Sequence, residues 1–295
     1  MADWPKVREQ AAYLTQAALL ASFLGFCRIL PVDWASGLGG WIGRTVGPRM
    51  GQNRKAERNL IRAFPENPPE ANRRIMRGMW DNLGRTIAEY PHLPQICASL
   101  YGGRVEVIGL DTFYAVRDSG KAAIIFGAHL ANWEVSPYLS RHAGMPLSLI
   151  YRAPNNPWVD RLLRRLRDAP EQFRKGDEGA RALFRVLRRG GHIAMLIDQK
   201  MNDGIPVTFF GRDAMTAPAI AQFALRLDCT VLPVKTERLK GARFRITVFP
   251  PLEIKPTGDR EKDEYEIMLR INKMVEEWVR VRPEQWLWLH RRWPD

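Results

Sequence analysis

The stretch AAIIFGAHLANWE, residues 122–134, decides how the rest of the chain reads. AAIIF is a short apolar run of strand length with no polar alternation, the pattern of a strand buried on both faces. Gly127 lets the chain turn where the run ends. His129 follows at once and Glu134 comes five positions later. A strand that ends by presenting a histidine and then a carboxylate has the form of a site at a sheet edge.

From about residue 104 onward the pattern repeats. RVEVIG, AAIIF, LSLIY, HIAMLID, TVLPV and RFRITVF read as strands. Helical stretches are expected at 130–143, 156–168, 178–189, 217–227 and 260–282. Short apolar strands alternating with amphipathic helices imply an α/β fold: a mixed, mostly parallel sheet flanked by helices. Residues 1–103 read instead as an N-terminal helical, membrane-associating region, leaving 104–295 as the α/β domain. In the helix expected to end near Tyr90, Ile75, Met76, Met79, Trp80, Leu83 and Ile87 recur at helical spacing.

No charged residue lies between Gln10 and Cys27. As a helix these 18 residues reach about 27 Å, slightly short of a hydrocarbon core of about 30 Å. Gln10, Thr15, Gln16, Ser22 and Gly25 dilute the segment. It reads as a helix lying in the membrane interface in preference to a full span, and not as a secretory signal peptide. Trp4, Trp34 and Trp41 near it suit that interface.

The 295 residues carry 45 Lys and Arg against 32 Asp and Glu, a formal net charge of +13. Such a balance points to an anionic partner: a membrane surface, a phosphorylated substrate or a nucleic acid. The basic residues are scattered and no nucleic-acid-binding motif appears, so no nucleic acid is expected. Cys27, Cys97 and Cys229 are far apart and form neither a disulfide framework nor a ligand spacing.

Residues five apart on a regular helix differ by about 140°, so His129 and Glu134 can meet only if His129 stands at or before a helix start. There, a carboxylate on one ring nitrogen would fix the tautomer and leave the other free to take a proton from a hydroxyl. Asn132 between them is expected to cap the helix or contact substrate. No second His or Cys stands at zinc-ligand spacing, and no Gly-x-Ser-x-Gly elbow or P-loop is present, so no metal or bound cofactor is expected. Arg152, Arg164 and Arg167 follow the strand LSLIY, where arginine forks suit phosphate or carboxylate recognition. Asp198 ends another strand, and an Asp198–Arg167 pair is the expected arrangement. VTFFG and the apolar helix after Thr216 are candidates to line an acyl-chain channel.

GAHLANWE, YRAPNNPWVDRLLRRLR (151–167), IDQKMNDGIPVTFFGRDAMTAPAIAQFA (197–224) and PEQWLWLHRRW (283–293) occur in an order that resembles the late acyltransferases of lipid A biosynthesis. The resemblance spans nearly the whole chain. It implies an O-acyltransferase at the cytoplasmic face of an inner membrane, moving a fatty acyl group from acyl carrier protein to a hydroxyl of a phosphorylated glycolipid. It maps that family's HX4(D/E) motif onto His129 and Glu134 as base and orienting acid. It also assigns substrate contacts to Arg167, with Arg164 as competitor, and to Asp198. Ala153 departs from the proline frequent in the family, and Pro154 follows it. The same chemistry on a lysophospholipid, an aminoacyl lipid or a phosphatidylinositol mannoside is the nearest alternative.

Overall fold

A computed structural model describes residues 4–99, 102–167, 169 and 171–293. The Trp4 side chain, expected at a membrane interface, lies outside the described residues. Before residue 104 the chain is helical: α1 (Trp4–Ile29), α2 (Val32–Val46), α3 (Asn53–Ala63), α4 (Pro69–Glu89) and the single turn α5 (Leu93–Ile96). The α/β portion runs β1 (Val105–Ile108), α6 (Leu110–Asp118), β2 (Ala123–Gly127), α7 (Val135–His142), β3 (Leu147–Tyr151) and α8 (Pro157–Leu166). It continues β4 (Gln172–Arg174), α9 (Asp177–Arg188), β5 (His192–Leu196), β6 (Ile205–Phe209), β7 (Arg212–Thr216), α10 (Ala219–Leu227), β8 (Thr230–Arg238), β9 (Phe244–Val248) and α11 (Arg260–Val281).

Seven strands form one sheet in the order β1-β9-β8-β2-β5-β3-β4. All neighbouring pairs are parallel except β8–β9. β2 lies inside the sheet, between β8 and β5. Its side chains divide by the two-residue period of a strand. Ile124 and Phe126 enter the core that includes helices α9, α10 and α11, while Ala123 and Ile125 enter the core that includes α6, α7 and part of α8. That double burial is why the run in the sequence is unbroken.

Two expectations need correction. The helix expected from residue 130 starts only at Val135. Residues 129–131 spend their backbone groups elsewhere: Leu130 bridges to Trp286, Leu287 N–H donates to the His129 carbonyl (3.1 Å), and Ala131 N–H donates to the Gln285 carbonyl (3.0 Å). Ala131 takes a left-handed φ of 52°, which a helix cannot continue from. VTFFG, expected to line a channel, belongs instead to a hairpin of β6 and β7 turned at Phe210-Gly211, both with positive φ. Phe209 and Phe210 pack against Trp286, Trp288 and Trp293 in the core. A pattern of two consecutive phenylalanines and then glycine gave no period from which to read that hairpin.

α1 docks on the rest of the protein along one face. Leu24 and Cys27 are buried while Leu14, Leu19, Phe26 and Ile29 are at least half exposed. Its Val7–Ile29 portion is long and apolar enough to cross a membrane, with only 11% of the apolar window buried. On α2, Trp34 and Trp41 are exposed on the side opposite α4. The α4-facing side is Ser36, Gly39, Gly40 and Gly43, and Gly47, just past the end of α2, lies against the Trp80 ring. A Cβ on Gly84 would fall 2.0 Å from the Gly39 carbonyl oxygen, and one on Gly43 would fall 2.0 Å from that of Trp80. The two backbones touch there because Gly39 and Gly43 on α2 and Gly84 on α4 carry no side chain. Gly84→Ala is therefore expected to lower stability by about 1–3 kcal/mol, since backbone must move to admit the methyl group. Gly25→Ala, where a Cβ meets nothing within 4 Å, should be neutral or mildly stabilising. Thermal unfolding in detergent separates the two.

Candidate active site

The site forms past the carboxyl ends of β2 and β5. These strands pair in register, Gly127 opposite Leu196, and the Ile197 N–H continues the ladder to the Gly127 carbonyl (3.2 Å). Two residues beyond that register pair stand His129 and Asp198. The same pairing that builds the sheet thus sets an imidazole beside a carboxylate.

The bond is direct: His129 Nδ1 lies 2.7 Å from Asp198 Oδ1. Asp198 Oδ2 accepts the His129 backbone N–H (2.8 Å) and the Trp286 indole N–H (2.6 Å). Asp198 is 2% exposed. Burial alone would raise its pKa. The imidazole, the His129 backbone N–H and the indole more than offset that, and they hold the carboxyl below the ordinary range. An ionised Asp198 requires the proton on Nδ1 of a neutral His129, so the lone pair sits on Nε2. There the side-chain amide nitrogen of Gln199 approaches to 3.0 Å. The same nitrogen lies 2.9 Å from Nε2 of His290. The rings of Trp133 and His290 each have their centroid 5.2 Å from that of the His129 ring.

Glu134 therefore does not pair with His129. It accepts the Tyr90 hydroxyl at Oε1 (2.7 Å), and Arg167 donates to it through Nε (2.9 Å to Oε1 and 3.1 Å to Oε2). Burial, reinforced by Glu134, pushes the Tyr90 phenol far up, so Tyr90 remains a donor at any working pH. Burial works against the charge on Arg167, but Glu134 and Tyr90 more than offset it and hold the guanidinium above its ordinary value. Its Cζ also lies 5.3 Å from the Tyr151 ring centroid. The expected Asp198–Arg167 pair is replaced by two crossed pairs, His129–Asp198 and Arg167–Glu134. The reason is position. Glu134 lies in the loop ahead of α7 and meets the end of α8, whereas Asp198 follows the strand next to β2.

The remaining expected residues separate clearly. Asn132 is fully buried: its amide donates to Glu89 Oε2 (2.9 Å), and its Oδ1 accepts the Glu134 N–H (3.2 Å). It shapes the loop and has no surface to offer a ligand. Arg152 is exposed and acts electrostatically on His290, and Arg164 is exposed on α8, where its carbonyl accepts from the Gln172 amide (3.0 Å). Gln199 and His290 were missed. Gln199 stood next to Asp198 inside a quoted motif, but the meeting with His290 depends on a contact between residues 91 apart in the chain.

Burial lowers the His290 pKa to about 4; His129, Arg152 and Lys55 push the same way and Asp198 opposes them. The unfolded chain takes this proton near 6.5, so it binds more protons than the folded chain between those values. Stability should fall as pH drops from about 6.5 toward 4. Unfolding midpoints measured across that window should decline less steeply for His290→Phe than for the unaltered protein.

Behind the loop lies a surface cavity of about 450 Å³ lined by Arg44, Arg74, Arg77, Arg85 and Arg238, with Asp81 and Glu284. Two further lining residues, Asn82 and Gln285, bond the Ala131 backbone from that side.

Fold and site together define a class: an α/β protein that sets a histidine–carboxylate pair at the carboxyl edge of adjacent parallel strands, with an apolar helix docked alongside. The family model for bacterial lipid A biosynthesis acyltransferases matches residues 5–295, and the chain belongs to that family. It is 25% identical over 274 residues to a lipid A biosynthesis palmitoleoyltransferase of Escherichia coli K12, covering 89% of this chain and 86% of that protein. A lauroyltransferase of the same organism is 24% identical, covering 80% of this chain and 76% of that protein. A phosphatidylinositol mannoside acyltransferase of Mycolicibacterium smegmatis is 22% identical, covering 77% and 76%.

Proposed function

We propose that this acyltransferase moves a fatty acyl chain from an acyl carrier protein thioester to a hydroxyl of a phosphorylated lipid A precursor, with His129 as general base. The observation that carries the reading is the His129–Asp198 bond, which leaves Nε2 as the basic nitrogen in a site that is only partly closed. The acceptor hydroxyl docks at Nε2 and attacks the thioester carbonyl as its proton passes to the imidazole. Asp198, a positioning residue, keeps the proton on Nδ1 and stabilises the imidazolium. The tetrahedral oxyanion collapses, the carbon–sulfur bond breaks, and the proton on Nε2 passes to the departing thiolate. Glu134 acts at one remove by holding Arg167, the guanidinium assigned to favour the oxyanion. The scheme uses protein side chains and the thioester co-substrate alone.

Attachment to the membrane follows from α1. Asn156, at the start of α8, donates to the Tyr13 carbonyl of α1 (2.8 Å), and Arg167 closes the other end of α8. A helix fixed lengthwise to the protein, apolar on its outer face and continued by Trp34 and Trp41, suits an interfacial seat on the cytoplasmic face of an inner membrane. There the acceptor's acyl chains stay in lipid while its hydroxyl reaches His129. The basic cavity suits an acidic carrier protein or anionic headgroups.

The matched phosphatidylinositol mannoside enzyme favours a second reading, in which the acceptor is another membrane glycolipid. Incubating purified protein with acyl carrier thioesters and either acceptor, with mass spectrometry of the lipid product, decides between them. One added acyl chain on the lipid A precursor is expected. Acylation of the other glycolipid alone would overturn the choice of acceptor.

A further inference from the structure

The His129 nitrogen that must receive a proton is not free. Its neighbour is the Gln199 amide nitrogen at 3.0 Å, and the same amide nitrogen is 2.9 Å from His290 Nε2. An amide NH2 has two hydrogens and no lone pair to offer. It can serve both imidazoles only if both Nε2 atoms are unprotonated. Asp198 already requires that of His129 by holding the proton on Nδ1.

We propose that Gln199, anchored by His290, is a resting-state clasp on the catalytic base: it occupies and keeps unprotonated the His129 Nε2 until the acceptor hydroxyl displaces it. Resting on the reading of His129 as base, this assigns Gln199 and His290 as positioning residues. Every group facing the pair fits. Asp198 and the Trp286 indole lie on the Nδ1 side of His129, and the Trp133 ring packs against its flank. Burial, helped by Arg152 and Lys55, disfavours a proton on His290, which keeps that anchor an acceptor across the neutral range. On displacement the amide loses one bond and keeps the other, so it swings about His290 without leaving the site. Protonating His129 while the clasp is closed would set an N–H against an N–H.

The test reads Nε2 directly, without substrate. Diethylpyrocarbonate acylates unprotonated imidazole nitrogen, and peptide mass spectrometry gives the rate at each histidine of the purified protein at pH 7. Exposed His142, on α7, is the internal reference. Gln199→Met keeps the bulk of the side chain and removes the donor, so the clasp predicts His129 modification about 10-fold faster than in the unaltered protein, as in Gln199→Ala. A role limited to steric cover predicts a fast Ala variant and a Met variant as slow as the unaltered protein; that result overturns the clasp. In the assay with acyl thioester and acceptor, the acid limb of kcat/KM should move to higher pH in Gln199→Met. It should move by about one pH unit in Gln199→Glu, where a carboxylate favours the imidazolium. An unmoved acid limb in both also overturns it. Because the modification rate needs no acceptor, the clasp stands or falls separately from the choice of glycolipid.

Discussion

Asp198→Asn is expected to cut kcat by about 10³–10⁴-fold while leaving the protein folded and its membrane attachment intact. The amide can accept at one atom and donate at the other, but the site around it supplies only donors. His129 Nδ1–H, the His129 backbone N–H and the Trp286 indole all point at the two carboxylate oxygens. An amide nitrogen in either place faces a donor. The cheapest relief is to move the imidazole proton to Nε2, which removes the lone pair that would take the hydroxyl proton. His129→Ala, lacking the base altogether, should lose at least as much. Glu134→Gln should lose only about 10-fold, because it loosens Arg167 and never touches the imidazole. Side-by-side kcat values decide the point. If Glu134→Gln proved as damaging as Asp198→Asn, the assignment of Asp198 as the orienting acid would be wrong, and the carboxylate five residues past the histidine would resume that role.

How far this site was legible in the sequence turns on those two carboxylates. His129 was found because a local signal marked it: an apolar run, a glycine, a histidine. Asp198 was found at the end of a strand, and Arg167 by its place after LSLIY and the family resemblance. Which carboxylate meets the imidazole was not a local question. It depends on β5 lying next to β2, and strand order is set by packing of the whole sheet and leaves no periodicity. The proximity of Glu134 in sequence misled for the same reason that α7 begins late. The backbone between them is drawn away by residues 285–287, and only the fold brings that segment near. The β2 strand was legible as an unbroken apolar run ended by a glycine, and α8 and α11 because each pairs a helical period with a capping residue at its start. β4, three residues long, and the β6–β7 hairpin were not, because neither shows an alternation distinct from its flanks.

The second large effect is expected far from the reacting atoms. Glu89 is wholly buried and paired with Arg238, which is 8% exposed. Glu89 also accepts from Ser36 (2.7 Å) and Asn132 (2.9 Å), while Arg238 Nε donates to Asn82 (2.9 Å), whose own amide donates to the Ala131 carbonyl (3.0 Å). Glu89→Leu leaves a guanidinium without its counter-charge inside protein, a loss of about 3–5 kcal/mol. At about 2–4 °C per kcal/mol for a chain of this order of size, the unfolding midpoint should fall by roughly 6–20 °C. Adding Arg238→Met should restore most of that stability, because two apolar groups replace two charges that had to leave water. It should not restore turnover. Asn132 stands three residues after His129 and loses its bond to Glu89 (2.9 Å), and Asn82 loses the Arg238 donor that steadies it where it bonds the Ala131 carbonyl, so the loop after His129 is held less firmly. A double variant that melts near the unaltered protein yet stays about 10-fold slower in kcat would show that the buried ions serve to place the loop. Recovery of kcat along with the melting point would show that they serve stability alone.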